Sequence, residues 1–230
     1  MRLDRLESSV PLRAETVIFD VDGTLVDSAA DIHAALNHGL ALAGCGPEEF
    51  AAARRLIGLG LERSIEKVLA DRGFRIEDAE LAGIKSASTA YYDAHLLERT
   101  CLYAGVTETL DVLRDTGTRL GICTNKRAEA TRRILSGLGI LKHFEVIIGR
   151  EAVAPGKPHP APLLAAVEAL KGQCSRAAMV GDTLADMQCA RAAGVTAIAV
   201  TYGYSDLSVS ELGADTTIDV FSELASVLRP

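Results

Sequence analysis

Val17-Ile18-Phe19-Asp20-Val21-Asp22-Gly23-Thr24-Leu25-Val26 is the stretch that decides the fold. An apolar run closed by two carboxylates one residue apart reads as a buried strand opening into a loop at its carboxyl end. Open α/β sheets bind ligands at that end. Side chains two apart in extended backbone point the same way, so Asp20 and Asp22 face one small volume. Like charges that close are costly unless a cation lies between them or one carboxylate keeps its proton. The pair therefore reads as a metal site, or as a nucleophile beside a proton donor. Gly23 lets the backbone approach a ligand closely.

Around this stretch the chain is ordinary for a globular protein: 230 residues, 48% hydrophobic and 24% charged. That length allows one large domain, or a core with a smaller second unit. The net charge of -7 and the lack of a dense Lys/Arg run exclude a nucleic-acid partner. No apolar stretch approaches the ~18 residues of a membrane span. Met1 to Arg13 lacks the apolar centre of a signal peptide and reads as a short leading arm. Five scattered cysteines without a C-x-x-C pair argue against a disulfide framework and structural zinc, and point to a reducing, cytoplasmic setting.

Two textures follow one another. From about Ser28 to Cys101, Ala, Leu, Glu and Arg recur at helical spacing, with breaks at Gly44-Cys45-Gly46-Pro47 and Gly58-Leu59-Gly60. From Leu102 onward short apolar strands alternate with helices. Strands are expected over Arg119–Cys123, Glu145–Ile148, Ala177–Val180, Thr196–Val200 and Thr216–Ile218. Helices are expected over Val106–Arg114, Ala128–Leu138, Pro160–Leu170 and Ala185–Ala193. Such alternation predicts a mostly parallel sheet with helices on both faces, joined by the strand at Val17. The helical block is then an insertion after the first strand.

In a parallel sheet the strand ends gather along one edge. That edge collects Asp20 and Asp22, then Thr124, Asn125 and Lys126, then Gly181, Asp182 and Thr183 with Asp186 one turn further. Lys157 lies in the turn-rich segment Pro155-Gly156-Lys157-Pro158-His159-Pro160. Each has a plain reading as cap, turn or surface. A calcium loop fails because Leu25 stands at its glycine position, and a P-loop fails because Glu151 and Pro158 replace its glycine and hydroxyl.

Taken in order, these motifs resemble the haloacid dehalogenase-like phosphohydrolases from about Thr16 to near the C-terminus. Asp20-Val21-Asp22-Gly23-Thr24 is similar to the first motif, Thr124 with Asn125 to the second, Lys157 to the third, and Gly181-Asp182 with Asp186 to the fourth. The spacing is similar to the subgroup with a helical cap. Asp20 to Ser28, Ile57-Gly58-Leu59-Gly60 and Thr201-Tyr202-Gly203-Tyr204 look most like phosphoglycolate phosphatases. The resemblance implies a Rossmann-like α/β core over residues 1–28 and 102–230 and an all-helical cap over 29–101, hinged at Asp27-Ser28 and Leu102-Tyr103-Ala104-Gly105.

It also implies roles. A carboxylate attacking a phosphate dianion meets a repulsion of about 4 kcal/mol per charge pair at ~4 Å and a dielectric of ~20. Mg2+ held by Asp20, Asp182 and the Asp22 backbone carbonyl would neutralise it. Asp20 is the implied nucleophile, forming an aspartyl-phosphate, and Asp22 the implied general acid and base. Crowding by Asp20 and Asp182 is expected to favour the protonated form of Asp22. Lys157, Thr124, Asn125 and the Gly23 and Thr24 amides are expected on the phosphate, and Asp186 behind them, orienting Lys157 or a metal-bound water. A cap over the site implies a small phosphorylated metabolite, with Gly58, Gly60 and one of Arg54, Arg55 or Arg63 facing it. The expected activity is hydrolysis of 2-phosphoglycolate. The alternatives are a phosphosugar mutase of the β-phosphoglucomutase type and a generalist phosphatase.

Overall fold

The computed structural model describes residues 12–229; most of the expected leading arm lies outside them. In chain order the strands are β1 (Leu12–Arg13), β2 (Thr16–Phe19), β3 (Val26–Asp27), β4 (Cys101–Leu102), β5 (Arg119–Cys123), β6 (Val146–Ile148), β7 (Ala177–Gly181), β8 (Thr196–Val200), β9 (Thr216–Ile218) and β10 (Leu228–Arg229). The helices are α1 (Ala29–Leu42), α2 (Phe50–Arg54), α3 (Leu61–Asp71), α4 (Asp78–Ala94), α5 (Val106–Asp115), α6 (Ala128–Gly137), α7 (Ala161–Ala169), α8 (Leu184–Ala193), α9 (Val209–Leu212) and α10 (Leu224–Val227).

Six strands form one parallel sheet in the order β6-β5-β2-β7-β8-β9. β2 is central and buried throughout, because helices cover both faces. Its side chains alternate: Val17 and Phe19 join a core with Val106 and Leu110 of α5 and Ile134 of α6, while Ile18 joins Leu163 and Val167 of α7 and Met187 of α8. After β2 the chain builds outward through β5 and β6, then returns across β2 to start β7. The strand order reverses there, and a crevice opens at the carboxyl ends.

Helices α1 to α4 lie between β3 and β4 and enclose a core of their own, including Leu36, Leu40, Ile65, Val68, Leu69 and Ile84. The opposite stripe of α1, through Ile32 and Ala35, packs into the larger core. A break between α3 and α4, at Arg72 to Glu77, was not among those expected. The two expected hinge segments are not free linkers. β3 and β4 pair antiparallel, Val26 opposite Leu102 and Asp27 opposite Cys101, and Tyr103 N donates to Leu25 O at 3.1 Å. Among the described residues no helix is long and apolar enough to cross a membrane.

Candidate active site

Register explains why the expected residues meet. Phe19 stands beside Ile122 on one side and Val180 on the other, so Asp20, Thr124 and Asp182 emerge at one level of the sheet edge. The loop after Phe19 is a tight turn in which Val21 O accepts from the amides of Leu25 at 2.9 Å and Val26 at 3.1 Å. Gly23 has φ of 82°, and a Cβ there would lie 2.3 Å from Asp182 Oδ2. Gly203 is equally constrained, since its Cβ would lie 2.1 Å from the Cβ of Asp182. Both positions admit only glycine beside that carboxylate.

Asp20, Asp182 and Asp186 are buried and offer oxygens within 4.8 Å of one another. Lys157 Nζ lies 2.9 Å from Asp20 Oδ1 and 2.5 Å from Asp186 Oδ1. One ammonium thus touches two of the three carboxylates, Asp20 and Asp186, and Asp182 lies beyond its contacts. Burial pushes the Asp20 carboxyl up to about 6; Lys157 opposes this, and the like charges of Asp186 and Asp22 add to it. Burial, then Asp186 and Asp20, push Asp182 well above the usual carboxylate range. Burial on its own would lower Lys157, but Asp186 and Asp20 outweigh it and hold the lysine raised and charged. A surplus of hard oxygen donors, one of them (Asp20 Oδ1) without a hydrogen bond, fits a divalent cation. Asp186 belongs to this cluster and bonds Lys157, the residue it is expected to orient. It reaches there from the first turn of α8, where its Oδ2 also accepts from Thr183 N at 3.0 Å as part of a capping box.

Asp22 turns elsewhere. Its Oδ1 accepts from Ser28 Oγ at 2.5 Å, and Lys126 Nζ stands 2.9 Å from both oxygens. Asp22 therefore has an ammonium as a direct partner, one that the sequence does not assign to it. Burial would lower Lys126, but Asp22 and Tyr92 keep it raised. The Gly23 and Thr24 amides, expected on the phosphate, are engaged inside the turn, bonded to Val26 O at 2.9 Å and Val21 O at 3.3 Å. Thr24 Oγ1 instead donates to Asp182 Oδ1 at 3.1 Å. Thr201-Tyr202-Gly203-Tyr204 buttresses the same loop: Tyr204 N donates to Asp182 Oδ2 at 2.7 Å and the Tyr204 hydroxyl accepts from Ser28 N at 2.7 Å.

A cavity of about 60 Å³ lies between the sheet edge and helices α1 to α4. Asp20, Asp22, Thr124, Asn125, Gly58 and Gly60 line it together, so the structure does unite these expected residues. Arg54, Arg55 and Arg63 are not among its lining. Arg54 donates to Gly203 O at 2.6 Å and stacks on Tyr204, Arg55 pairs with Asp206, and Arg63 is exposed. The cations that do line it are Lys126, Arg127 and Arg150, of which Arg127 pairs with Asp93 and Arg150 with Glu62. The sequence places Lys126 at the sheet edge without a role, and gives no notice of Arg127 and Arg150. The only signal was Lys126 directly following Thr124 and Asn125 at a strand end.

Comparison with known proteins agrees with this geometry. A profile of the family described as Haloacid dehalogenase-like hydrolase matches residues 17–200. Phosphoglycolate phosphatase of Agrobacterium fabrum is 36% identical over 92% of this chain and 91% of its own length. That of Cereibacter sphaeroides is 40% identical over 93% and 97%. The crystal structure of a predicted phosphoglycolate phosphatase from Haemophilus somnus superposes with a TM-score of 0.87 at 27% identity, covering 93% of this chain and 97% of that one. With four motifs converging on one sheet edge and such relatives over nearly its whole length, the chain belongs to the haloacid dehalogenase-like hydrolases.

Proposed function

We propose that this chain is a Mg2+-dependent phosphatase of a small phosphorylated acid, with 2-phosphoglycolate as its substrate. The observation that carries the reading is the buried trio Asp20, Asp182 and Asp186, with Lys157 paired to Asp20 and Asp186. Relatives named phosphoglycolate phosphatase support the choice of ester. Asp20 and Asp182 would hold the cation, with Asp186 beside them and the Asp22 carbonyl as a further oxygen ligand. When bound, Mg2+ screens the phosphate dianion from the attacking carboxylate and supplies Lewis-acid polarisation of its oxygens.

Asp20 attacks phosphorus. A bond forms between its carboxylate oxygen and phosphorus as the phosphorus–alkoxide bond breaks, and the proton of Asp22 moves to the departing oxygen. Water then adds to phosphorus, giving its proton to Asp22, and the Asp20–phosphorus bond breaks to release inorganic phosphate. Lys157 and Thr124 hold the transferring group while its charge spreads over the equatorial oxygens. The block 29–101 acts as the cap, with residues 1–28 and 102–230 as the core, and the enclosed cavity admits only small esters. The free thiols of all five cysteines support a reducing, cytoplasmic location.

The test is phosphate release from a panel of small esters, with and without chelator. The expected result is chelator-sensitive hydrolysis led by 2-phosphoglycolate. Flat, weak activity across the panel would replace this reading with that of a generalist, and no release from any ester would end it.

A further inference from the structure

A chain of polar contacts runs from one end of the helical block to the other through Asp22. Ser28, just before α1, donates to Asp22 at 2.5 Å. Asp22 is held at both oxygens by Lys126, at 2.9 Å each. Lys126 Nζ in turn donates to the hydroxyl of Tyr92, near the end of α4, at 2.6 Å, and lies 4.6 Å from the centre of that ring. The lysine side chain is only 7% exposed. A buried ion pair adds little stability over an apolar pair of the same shape, so its presence in a cleft calls for a use.

The neighbours of Lys126 repeat the pattern. Asn125 Nδ2 reaches Gly58 O at 3.4 Å and Lys157 O at 3.2 Å, and Arg127 pairs with Asp93 of α4. Three consecutive residues after Thr124 each grip the helical block, and two of them also grip Asp22 or the segment of Lys157. A tilt of the block about the β3–β4 ribbon would part Tyr92 from Lys126 while leaving Lys126 near Asp22.

We propose that Lys126 and Tyr92 are positioning residues that transmit the seating of the helical block to Asp22. With the block seated, the Tyr92 hydroxyl fixes the ammonium, and the ammonium fixes the Asp22 carboxyl in one orientation. With the block displaced, Lys126 loses the Tyr92 hydroxyl that fixes it, so Asp22 is held less firmly and its proton is no longer delivered reliably to the leaving oxygen. This rests on the phosphatase reading and on Asp22 as its proton donor.

The test compares esters that differ in their need for that proton. Glycolate leaves as an alkoxide and requires protonation, whereas p-nitrophenolate leaves without it. In Tyr92→Phe, kcat/KM, which reports the first phosphoryl transfer and not the shared hydrolysis of the intermediate, should fall by about tenfold for 2-phosphoglycolate and by under about threefold for p-nitrophenyl phosphate, a part of the ~10²–10⁴ that a placed acid contributes. Lys126→Met should widen the same split; should it fail to fold, Tyr92→Phe carries the test alone. Equal losses on both esters, or no loss on either, would overturn the proposal. Wild-type protein inert toward both esters would instead overturn the phosphatase reading, and this inference with it.

Discussion

Replacing Lys157 with Met removes the ammonium that faces Asp20 and Asp186, at 2.9 and 2.5 Å. At an effective dielectric of ~20 each contact carries roughly 6 kcal/mol of attraction, much of which offsets the cost of burying the charges. The net loss on breaking a buried pair is about 3–5 kcal/mol. In the metal-free protein that loss should depend on pH. Burial already raises Asp20 to about 6 from the ordinary 3.8, with Lys157 opposing and Asp186 adding to the rise. The folded state therefore binds more protons than the unfolded one across that window, and stability falls as pH rises through it. Without the lysine's opposing charge the folded value climbs further, so the window extends upward through neutrality. Urea unfolding in chelator should thus show the variant weaker than wild type near pH 5, where the contact with Asp186 is lost, and weaker still near pH 8, where the full ~3–5 kcal/mol of a broken buried pair applies. Adding Mg2+ should restore much of the stability but not turnover, which should stay down by about 10²–10³. A deficit of stability that is the same at both pH values, or that Mg2+ leaves untouched, would refute the charge balance drawn for this site.

Asp20→Ala should abolish phosphate release, by on the order of 10⁴-fold or more, with an unchanged circular dichroism spectrum; wild-type turnover in that variant would remove Asp20 from the nucleophile's role. Gly203→Ala places a methyl 2.1 Å from the Asp182 Cβ, so it should cost about 1–3 kcal/mol in thermal unfolding and raise the Mg2+ needed for half-maximal activity. An unshifted Mg2+ titration would mean that Asp182 does not hold the cation. The Arg150–Glu62 pair spans core and helical block at 2.8 Å with side chains 36% and 31% exposed. Its double-mutant coupling should stay under about 1 kcal/mol, and a value above ~2 kcal/mol would make it a principal clasp between the two.

Strands β5, β8 and β9 fall at the bounds expected from sequence. Each is a short apolar run flanked by turn residues, and such runs are determined locally. The sheet-edge half of the site was legible for the same reason: Asp20, Thr124 and Asp182 follow their strands within two residues, and parallel register does the rest. What escaped depends on how the helical block docks. Lys126 meets Tyr92 across 34 residues and Arg150 meets Glu62 across 88, and no periodicity in either segment encodes those distances. The arginines at positions 54, 55 and 63 were chosen for closeness in sequence to Gly58 and Gly60. Docking turns the first two toward the Tyr204 and Asp206 segment, where backbone carbonyl and carboxylate acceptors await them.

The insertion point of the helical block has a consequence of its own. Because β3 and β4 pair antiparallel, the chain leaves and re-enters the core at one place, so a single narrow ribbon joins the block to the core. That ribbon begins six residues after Asp20, and its neighbour Ser28 is bonded both to Asp22 and, through its amide, to the Tyr204 hydroxyl. Tyr204 in turn holds Asp182 through its own amide. Asp22, Asp182 and the ribbon's end at Ser28 are thus tied by a few short bonds, all under 3.0 Å. An insertion elsewhere in the fold would cover the sheet edge equally well, but it would have no such mechanical link to Asp22. The position of the helical block, more than its bulk, is what lets its seating bear on the chemistry beneath it.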